Sequence, residues 1–319
     1  MVDSAIPVTI VTGFLGAGKS TLLSKWLEEL PREETVVIVH ERGDVGIDGE
    51  LLAQRVARLR EITGGCVCCQ SQAELSSALV ELGESTPRPG RILVETSGAA
   101  SPAGVIRAIG APRVRENLTL DGVITVVDVT RARRALGFDL AVEQLAFADV
   151  VVLSHVDALD EATCSSELDA LRAELQRYAP AAVFTEARRG VVGSKLLELL
   201  AQRVEVLHVA MPSGHSSIEA ASMIVDGELD EERFGDWVEN ELGSVEARIL
   251  RVKGILAMQG VDERVIVQGV GEAVDVELGA AWGDAQRTSR LVVLGLGLDA
   301  AALEAGFVQC AIRAPTPGP

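Results

Sequence analysis

A run of β-branched and apolar residues from Val8 to Thr12 breaks into Gly13-Phe14-Leu15-Gly16-Ala17-Gly18-Lys19-Ser20-Thr21, after which Leu22 and Leu23 continue in good helix formers. This strand, glycine loop and helix constrain the fold more than any other feature, because the order works only where a strand ends at a sheet edge and presents an anion to a helix N-terminus. Backbone N–H groups from Gly13, Gly16, Ala17 and Gly18 then face the α- and β-phosphates of a nucleotide, Lys19 reaches the β/γ oxygens, and the Ser20 hydroxyl holds Mg²⁺. A glycine-rich turn that matches by chance is the alternative. Lysine usage counts against it: lysine occurs only at Lys19, Lys25, Lys195 and Lys253, and one of these falls where the cradle needs it.

Further buried strands are expected at Thr35–Val39, Arg91–Glu95, Val123–Asp128, Val150–Leu153 and Ala182–Phe184, separated by helical patterns of which the first runs from Thr21 to Leu30. Short apolar strands alternating with helices imply right-handed βαβ crossovers and ligands at the strand carboxyl ends. The fold class read from this pattern is α/β: a P-loop NTPase domain with a mostly parallel sheet over residues 1–205, closed by a helix from Leu196 to Gln202. A linker follows at 206–217, with Pro212-Ser-Gly-His-Ser-Ser217 as its turn-forming core. A smaller α+β domain then occupies 218–319. Its strands are expected near Ile218–Asp226, Ala247–Met258, Arg264–Val270, Ala273–Leu278 and Ser289–Leu296, its helices at Asp230–Leu242, with Phe234 and Trp237 on the apolar face, and from Asp299 onward.

The formal charge of −18 and pI near 4.7 exclude a nucleic-acid or anionic-membrane binder, since neutralising phosphates requires clustered lysine and arginine. Cations and basic partners are favoured instead. No apolar run reaches about 18 residues, and no basic segment precedes the first apolar stretch, so a cytoplasmic protein is expected.

Three of the five cysteines, Cys66, Cys68 and Cys69, crowd behind Gly64-Gly65, while Cys164 and Cys310 stand alone, which is no disulfide framework. Three thiols at this spacing converge on one ion only if the backbone turns sharply, and the two glycines supply that freedom. Three soft ligands leave a fourth position for water, a carboxylate or a partner, so the set suits an exchangeable metal better than a closed structural site. Zn²⁺ leads, Co²⁺ follows and Cu(I) fits. Buried core cysteines and a redox Cys-x-x-Cys pair at Cys66 and Cys69 are the competing readings.

Taken together, the glycine loop, Glu41-Arg42-Gly43-Asp44-Val45-Gly46-Ile47-Asp48, Gly65-Cys66-Val67-Cys68-Cys69, Glu95-Thr96-Ser97-Gly98, Thr125-Val-Val-Asp128, the segment Gln144–Asp149 and Arg251-Val-Lys-Gly254 resemble the CobW-type metallochaperone GTPases over most of the chain. The resemblance implies slow GTP hydrolysis coupled to delivery of Zn²⁺ or Co²⁺ to a client metalloprotein, with relatives serving cobalamin synthesis, nitrile hydratase maturation and zinc homeostasis. It makes Lys19, Ser20 and Thr21 the phosphate and Mg²⁺ contacts, Glu95 with Gly98 the second nucleotide motif and switch, and Cys66, Cys68 and Cys69 the metal ligands. Glu41, in the segment matching the first switch, serves Mg²⁺, the attacking water or the transported metal; Lys19, Glu41 and Glu95 are thus the catalytic candidates. A homodimer is open.

Departures from the family pattern concern the base. Where Asn-Lys-x-Asp is usual, this chain reads Ser154-His155-Val156-Asp157. Asp157 keeps the carboxylate that accepts the two N–H donors of guanine. Ser154 lacks the amide, which predicts weaker bracing of the loop, and His155 either stacks on the purine or is a solvated loop residue. Ala187, in Thr185-Glu186-Ala187, is the candidate backbone donor to guanine O6. His40 replaces an asparagine beside Glu41, and the linker holds only His208 and His215, which argues against metal storage. An ATP-dependent P-loop enzyme with a structural zinc site, and a metal sensor or buffer that does not hydrolyse nucleotide, stay open.

Overall fold

Residues 5–41, 58–63, 70–193, 195–202, 218–242, 248–270 and 273–312 are described in the structure, a computed structural model. The chain divides into two compact units, Met1–Arg203 and Val204–Pro319.

In the first unit the strands are β1 (Ile6–Thr12), β2 (Thr35–Glu41), β3 (Arg58–Thr63), β4 (Arg91–Thr96), β5 (Leu118–Asp128), β6 (Val150–Ser154), β7 (Val183–Arg188) and β8 (Val191–Val192). They lie in the order β3-β2-β4-β1-β5-β6-β7-β8, all parallel except β8, which turns back on β7. The helices are α1 (Lys19–Trp26), α2 (Gln70–Gly83), α3 (Ala103–Ile109), α4 (Pro112–Arg115), α5 (Ala132–Ala135), α6 (Asp139–Ala146), α7 (Cys164–Leu175) and α8 (Leu196–Gln202).

Strand β6 shows why the sheet is covered on both faces. Its residues Val150, Val151, Val152 and Leu153 are all fully buried, and by the two-residue period they divide between two cores. Val150 and Val152 pack with Leu22, Leu23 and Trp26 of α1 and with Leu196 and Leu200 of α8. Val151 and Leu153 pack with Leu168, Leu171 and Leu175 of α7. Each such side chain removed from water stabilises the unit by roughly 1.5–3 kcal/mol before entropy is charged. Across the sheet, the Asp121 carboxylate accepts from Thr9 Oγ1 (3.0 Å) and from Arg91 Nη1 (2.6 Å), tying β1, β4 and β5 together.

Two expectations are corrected in this unit. Strand β3 is not among the expected ones, because Arg58-Leu-Arg-Glu-Ile-Thr63 is half charged; among the described residues it pairs only with β2, and charge is what keeps a sheet edge from recruiting other chains. Helix α1 begins at Lys19, directly after Gly18, and ends at Trp26 rather than Leu30. Past Trp26 the bonds tighten to three residues, with Glu28 N on Lys25 O and Glu29 N on Trp26 O.

The second unit is a five-stranded antiparallel sheet, order β12-β11-β10-β13-β9, with two helices. In chain order these are β9 (Ile218–Asp226), α9 (Glu231–Trp237), β10 (Arg248–Leu256), β11 (Glu263–Val270), β12 (Ala273–Ala281), β13 (Thr288–Leu296) and α10 (Ala300–Gln309). Asp230 and Asp299 cap the helices, accepting from Arg233 N and Ala302 N at 3.0 Å each. Phe234 and Trp237 meet Phe307 edge-on, and the helix expected to reach Leu242 widens to a π-turn over Val238–Leu242. No helix among the described residues is long and apolar enough to cross a membrane. The 206–217 segment and the proline-rich tail at Pro315–Pro319 lie outside the described residues.

Candidate nucleotide site

Strand β1 sits between β4 and β5, so the loop leaving it is flanked by the ends of both. The carboxyl ends are locked together: Thr96 Oγ1 of β4 donates to Thr12 Oγ1 of β1 at 2.8 Å, both buried. Gly13 follows with φ +142°, and a Cβ there would lie 2.3 Å from Val126 O of β5, so no other residue fits the first turn of the loop. Lys19, nine-tenths buried, donates from Nζ to Gly13 O at 3.0 Å and curls over the loop it follows. Ser20 Oγ donates to Glu95 Oε1 at 2.7 Å, and Glu95 is itself buried at the end of β4. A hydroxyl and a carboxylate at this distance make a hard-oxygen corner of the type Mg²⁺ takes.

The segment after Glu95 packs directly on the loop. A Cβ on Gly98 would stand 2.9 Å from Leu15 N and 3.0 Å from Lys19 Nζ, so this approach also requires glycine. Helix α6 holds the same segment from behind. Gln144 Nε2 donates to Ala100 O at 3.0 Å and Gly98 O at 3.4 Å, and Ser101 Oγ donates to Glu143 Oε1 at 2.9 Å.

A profile of the CobW/HypB/UreG nucleotide-binding domain matches residues 7–184, and one of the cobalamin synthesis protein CobW C-terminal domain matches residues 218–311. The chain belongs to the CobW/HypB/UreG family. It is 36% identical to the zinc chaperone CobW of Pseudomonas aeruginosa, over 93% of this chain and 89% of that protein. It is 30% identical to the zinc chaperone YjiA of Escherichia coli, over 95% and 98%. The crystal structure of the Zn(II)-bound YjiA GTPase superposes with a TM-score of 0.72 at 25% identity, covering 97% of this chain and all of that one.

At the other end of the loop this family member departs from the usual base-recognition residues. Ser154, at the tip of β6, is buried and donates from Oγ to Ala17 O at 2.7 Å, with Val127 O a second acceptor within reach at 3.2 Å. The weaker bracing expected of a serine is thus corrected in part: the hydroxyl is short, but β6 lies close enough for it to pin the phosphate loop directly. His155 adopts the left-handed conformation (φ 58°) and carries its ring over Gly18, with Cε1 3.4 Å from where a Cβ would be. Its Nδ1 lies 3.1 Å from Ser154 Oγ and 3.9 Å from Asp128 Oδ1.

Asp157 is exposed, and its Oδ1 accepts the backbone N–H of Arg189 at 3.1 Å. That bond holds the carboxyl below the usual carboxylate range, so it is an ionised acceptor at neutral pH. Arg189 and Gly190 form the tip of the β7–β8 hairpin, which reaches α1: a Cβ on Gly190 would lie 2.9 Å from exposed Thr21. Ala187 is buried in β7 opposite Val192, in the same core as Ala17 of the loop and Leu22 of α1.

The remaining sequence candidates are less defined. Cys66, Cys68, Cys69 and the segment from Arg42 to Asp48 lie outside the described residues. His40 and Glu41 end β2, next to β4 in the sheet, and their side chains are not described. Among the described residues no cluster of three or more His, Cys, Asp or Glu side chains stands ready for a metal. Cys164 and Cys310 are free thiols, and burial pushes the Cys310 thiol up.

Two functional positions were not singled out from sequence as parts of the site. Gln144 clamps the Glu95–Gly98 segment, and Asp128 closes β5 with a turn in which its Oδ1 accepts from Thr130 N (2.8 Å) and Thr130 Oγ1 (2.6 Å). Asp-x-Thr after a strand is a legible turn signal, whereas nothing local marks Gln144. An apolar cavity of about 360 Å³ is lined by Phe14, Leu15 and Ala17 of the loop and by Val127, Arg131 and Phe138; Lys19, Ser20 and Glu95 are not among its walls.

Proposed function

We propose that this protein hydrolyses GTP and couples the nucleotide cycle to binding and delivery of Zn²⁺, with Co²⁺ as the second candidate, to a client metalloprotein. The observation that carries the reading is the Ser20–Glu95 corner beside Lys19 on a loop closed by Gly98. Family membership supports the nucleotide half, and the zinc chaperone names of the relatives support the metal half.

In this reading the backbone N–H groups of Gly13, Gly16, Ala17 and Gly18 hold the α- and β-phosphates, and Lys19 swings from Gly13 O onto the β/γ oxygens. Ser20 and Glu95 hold Mg²⁺, which neutralises charge on the β- and γ-oxygens when bound. Glu95, or Glu41 at the end of the neighbouring strand, positions the attacking water, and Gly98 N–H approaches the γ-phosphate. Asp157 accepts the N–H donors of guanine, with Thr21 and Ala187 contributing to the same nucleotide. Cys66, Cys68 and Cys69, with Glu41 as fourth ligand, hold the cargo metal.

If both sites bias the same segments, coupling is reciprocal: metal tightens GTP by the factor by which GTP tightens metal. The acidic surface concentrates cations and steers a basic client, and the second unit is the client-facing one. Phosphate release across several divalent metals, measured against a Lys19→Ala control, tests the hydrolase. Zn²⁺ titration with and without a non-hydrolysable GTP analogue, under anaerobic reducing conditions, tests the coupling. Phosphate release no faster than in the control sinks the first half, and identical Zn²⁺ affinities sink the second.

A further inference from the structure

A loose phosphoryl-transfer transition state spreads charge over the γ-phosphoryl and the departing β-phosphate, and cations on several sides stabilise it more than one on a single side. In this molecule Glu95 and Gly98 approach Ser20 and Lys19 from the β4 flank of the loop. The β5 flank carries a different group. The turn that closes β5 fixes Arg131: Asp128 Oδ1 is held by Thr130, and Arg131 N donates to Asp128 O at 3.1 Å. From that fixed backbone the Arg131 side chain, 72% exposed, returns to the phosphate loop, with Nη1 only 3.4 Å from the point a Cβ on Gly16 would occupy. Gly16 is left-handed (φ +74°) and presents its bare Cα to the guanidinium.

Among the described residues Arg131 pairs with Asp128, Nε to Oδ2 at 3.7 Å, longer than a hydrogen bond. A guanidinium has five N–H donors in a planar fork suited to phosphate oxygens.

We propose that Arg131 contacts the phosphate chain of the bound nucleotide across Gly16, from the β5 flank, and acts as a cis-supplied cation for hydrolysis. Asp128 is its positioning residue, aiming the side chain without touching the nucleotide. The assignment rests on the nucleotide-hydrolase reading above and adds to it a catalytic residue that no motif marks.

The test compares Arg131→Ala and Arg131→Lys with Arg134→Ala, which removes the same charge three residues on, from the short helix α5 that Arg131 precedes. Arg131 is exposed, so a thermal melt should show all three variants folded. Arg131→Ala is expected to lower single-turnover hydrolysis about 10- to 100-fold while the affinity for a non-hydrolysable GTP analogue changes less than about threefold. Affinity for GDP with aluminium fluoride, a transition-state mimic, should fall in step with the rate. Arg131→Lys should recover part of both, and Arg134→Ala should match the wild type. Unchanged rate and mimic affinity in Arg131→Ala would overturn the proposal, as would an equal loss in Arg134→Ala, which would mean a diffuse field.

If the wild type binds triphosphate but releases no phosphate above the Lys19→Ala control, the hydrolase reading fails separately. Arg131 as a hydrolytic cation falls with it. A wild type that binds no nucleotide removes both.

Discussion

At the phosphate end of the cradle, Lys19 and Glu95 are 9% and 3% exposed and bond to the loop and to Ser20, whereas at the base end the His155 side chain is 46% exposed and Asp157 stands in solvent. The first end is defined by backbone. Glycines fit where any Cβ would strike Val126 O or Leu15 N, and the contacts come from strands already locked by the sheet. The second end is defined by side chains at the tips of β6 and β7, where a substitution costs little stability and changes recognition instead. Anion binding and base choice are therefore separable in this molecule, with Ser154, buried against Ala17 O, as the residue that joins the two ends.

The largest effect should come from removing the buried cation. Lys19→Ala should lower phosphate release about a thousandfold, by the logic of deleting a preorganised charge at the transferring group, while leaving the choice between guanine and adenine unchanged in whatever binding remains. A loss of base selectivity in a triphosphate-binding competition would show that the two ends are not separable. The converse experiment is Asp157→Asn, which replaces an acceptor by a mixed donor and acceptor. It should weaken GTP about 100-fold, gain xanthosine triphosphate, and leave Mg²⁺ dependence as in the wild type. A protein indifferent to this change, and binding ATP as well as GTP, would favour the adenine-dependent alternative.

How much of this was legible in the sequence follows the same division. The loop from Gly13 to Ser20 could be read because each residue has a fixed stereochemical task, and the apolar runs that became β1, β4, β5 and β6 could be read because they are buried on both faces. Strand β3 was not legible, since its charged residues carry the signature of an edge rather than of a core. Gln144 was not legible as a clamp because its partners, Gly98 O and Ala100 O, are far away in sequence and meet it only when α6 packs behind the β4 loop. The bracing role of Ser154 could not be foreseen from residue type: a hydroxyl replaces an amide only if the backbone is nearer, and that distance belongs to the packing of β6 on β5.

Ser154 joins the two ends, so it gives a smaller and more discriminating effect. Ser154→Ala removes the 2.7 Å bond to Ala17 O and leaves that carbonyl of the phosphate loop with one donor fewer. The expected cost is about 1–2 kcal/mol in folding stability and about a five- to tenfold loss in triphosphate affinity, equal for GTP and ATP. Denaturant unfolding and nucleotide titration read the two terms. If only GTP affinity fell, Ser154 would belong to base recognition rather than to the brace. Ser154→Asn supplies the amide that relatives carry, but in a space sized for a hydroxyl; it should fail to restore affinity if β6 has moved in to suit the serine.

The smallest effect concerns the charge of Asp157. The Arg189 N–H, donating to the carboxylate at 3.1 Å, favours the ionised form and sets the folded carboxyl below its unfolded value. For a depressed acid, the stabilisation is present above the unfolded value, near 3.9 for aspartate, and is lost as pH falls through the folded one. Solvent surrounds the group, so its effect on stability should be slight, and the informative readout is the site itself. Carbon-detected titration of the Asp157 carboxyl by NMR should give a midpoint below that of the same carboxyl in the urea-unfolded chain, and Gly190→Pro, which reshapes the hairpin tip that presents Arg189 N, should bring the two together. A midpoint at or above the unfolded one would mean that the hairpin does not hold the base-recognising carboxylate in solution, and the base end would then be organised only when a nucleotide arrives.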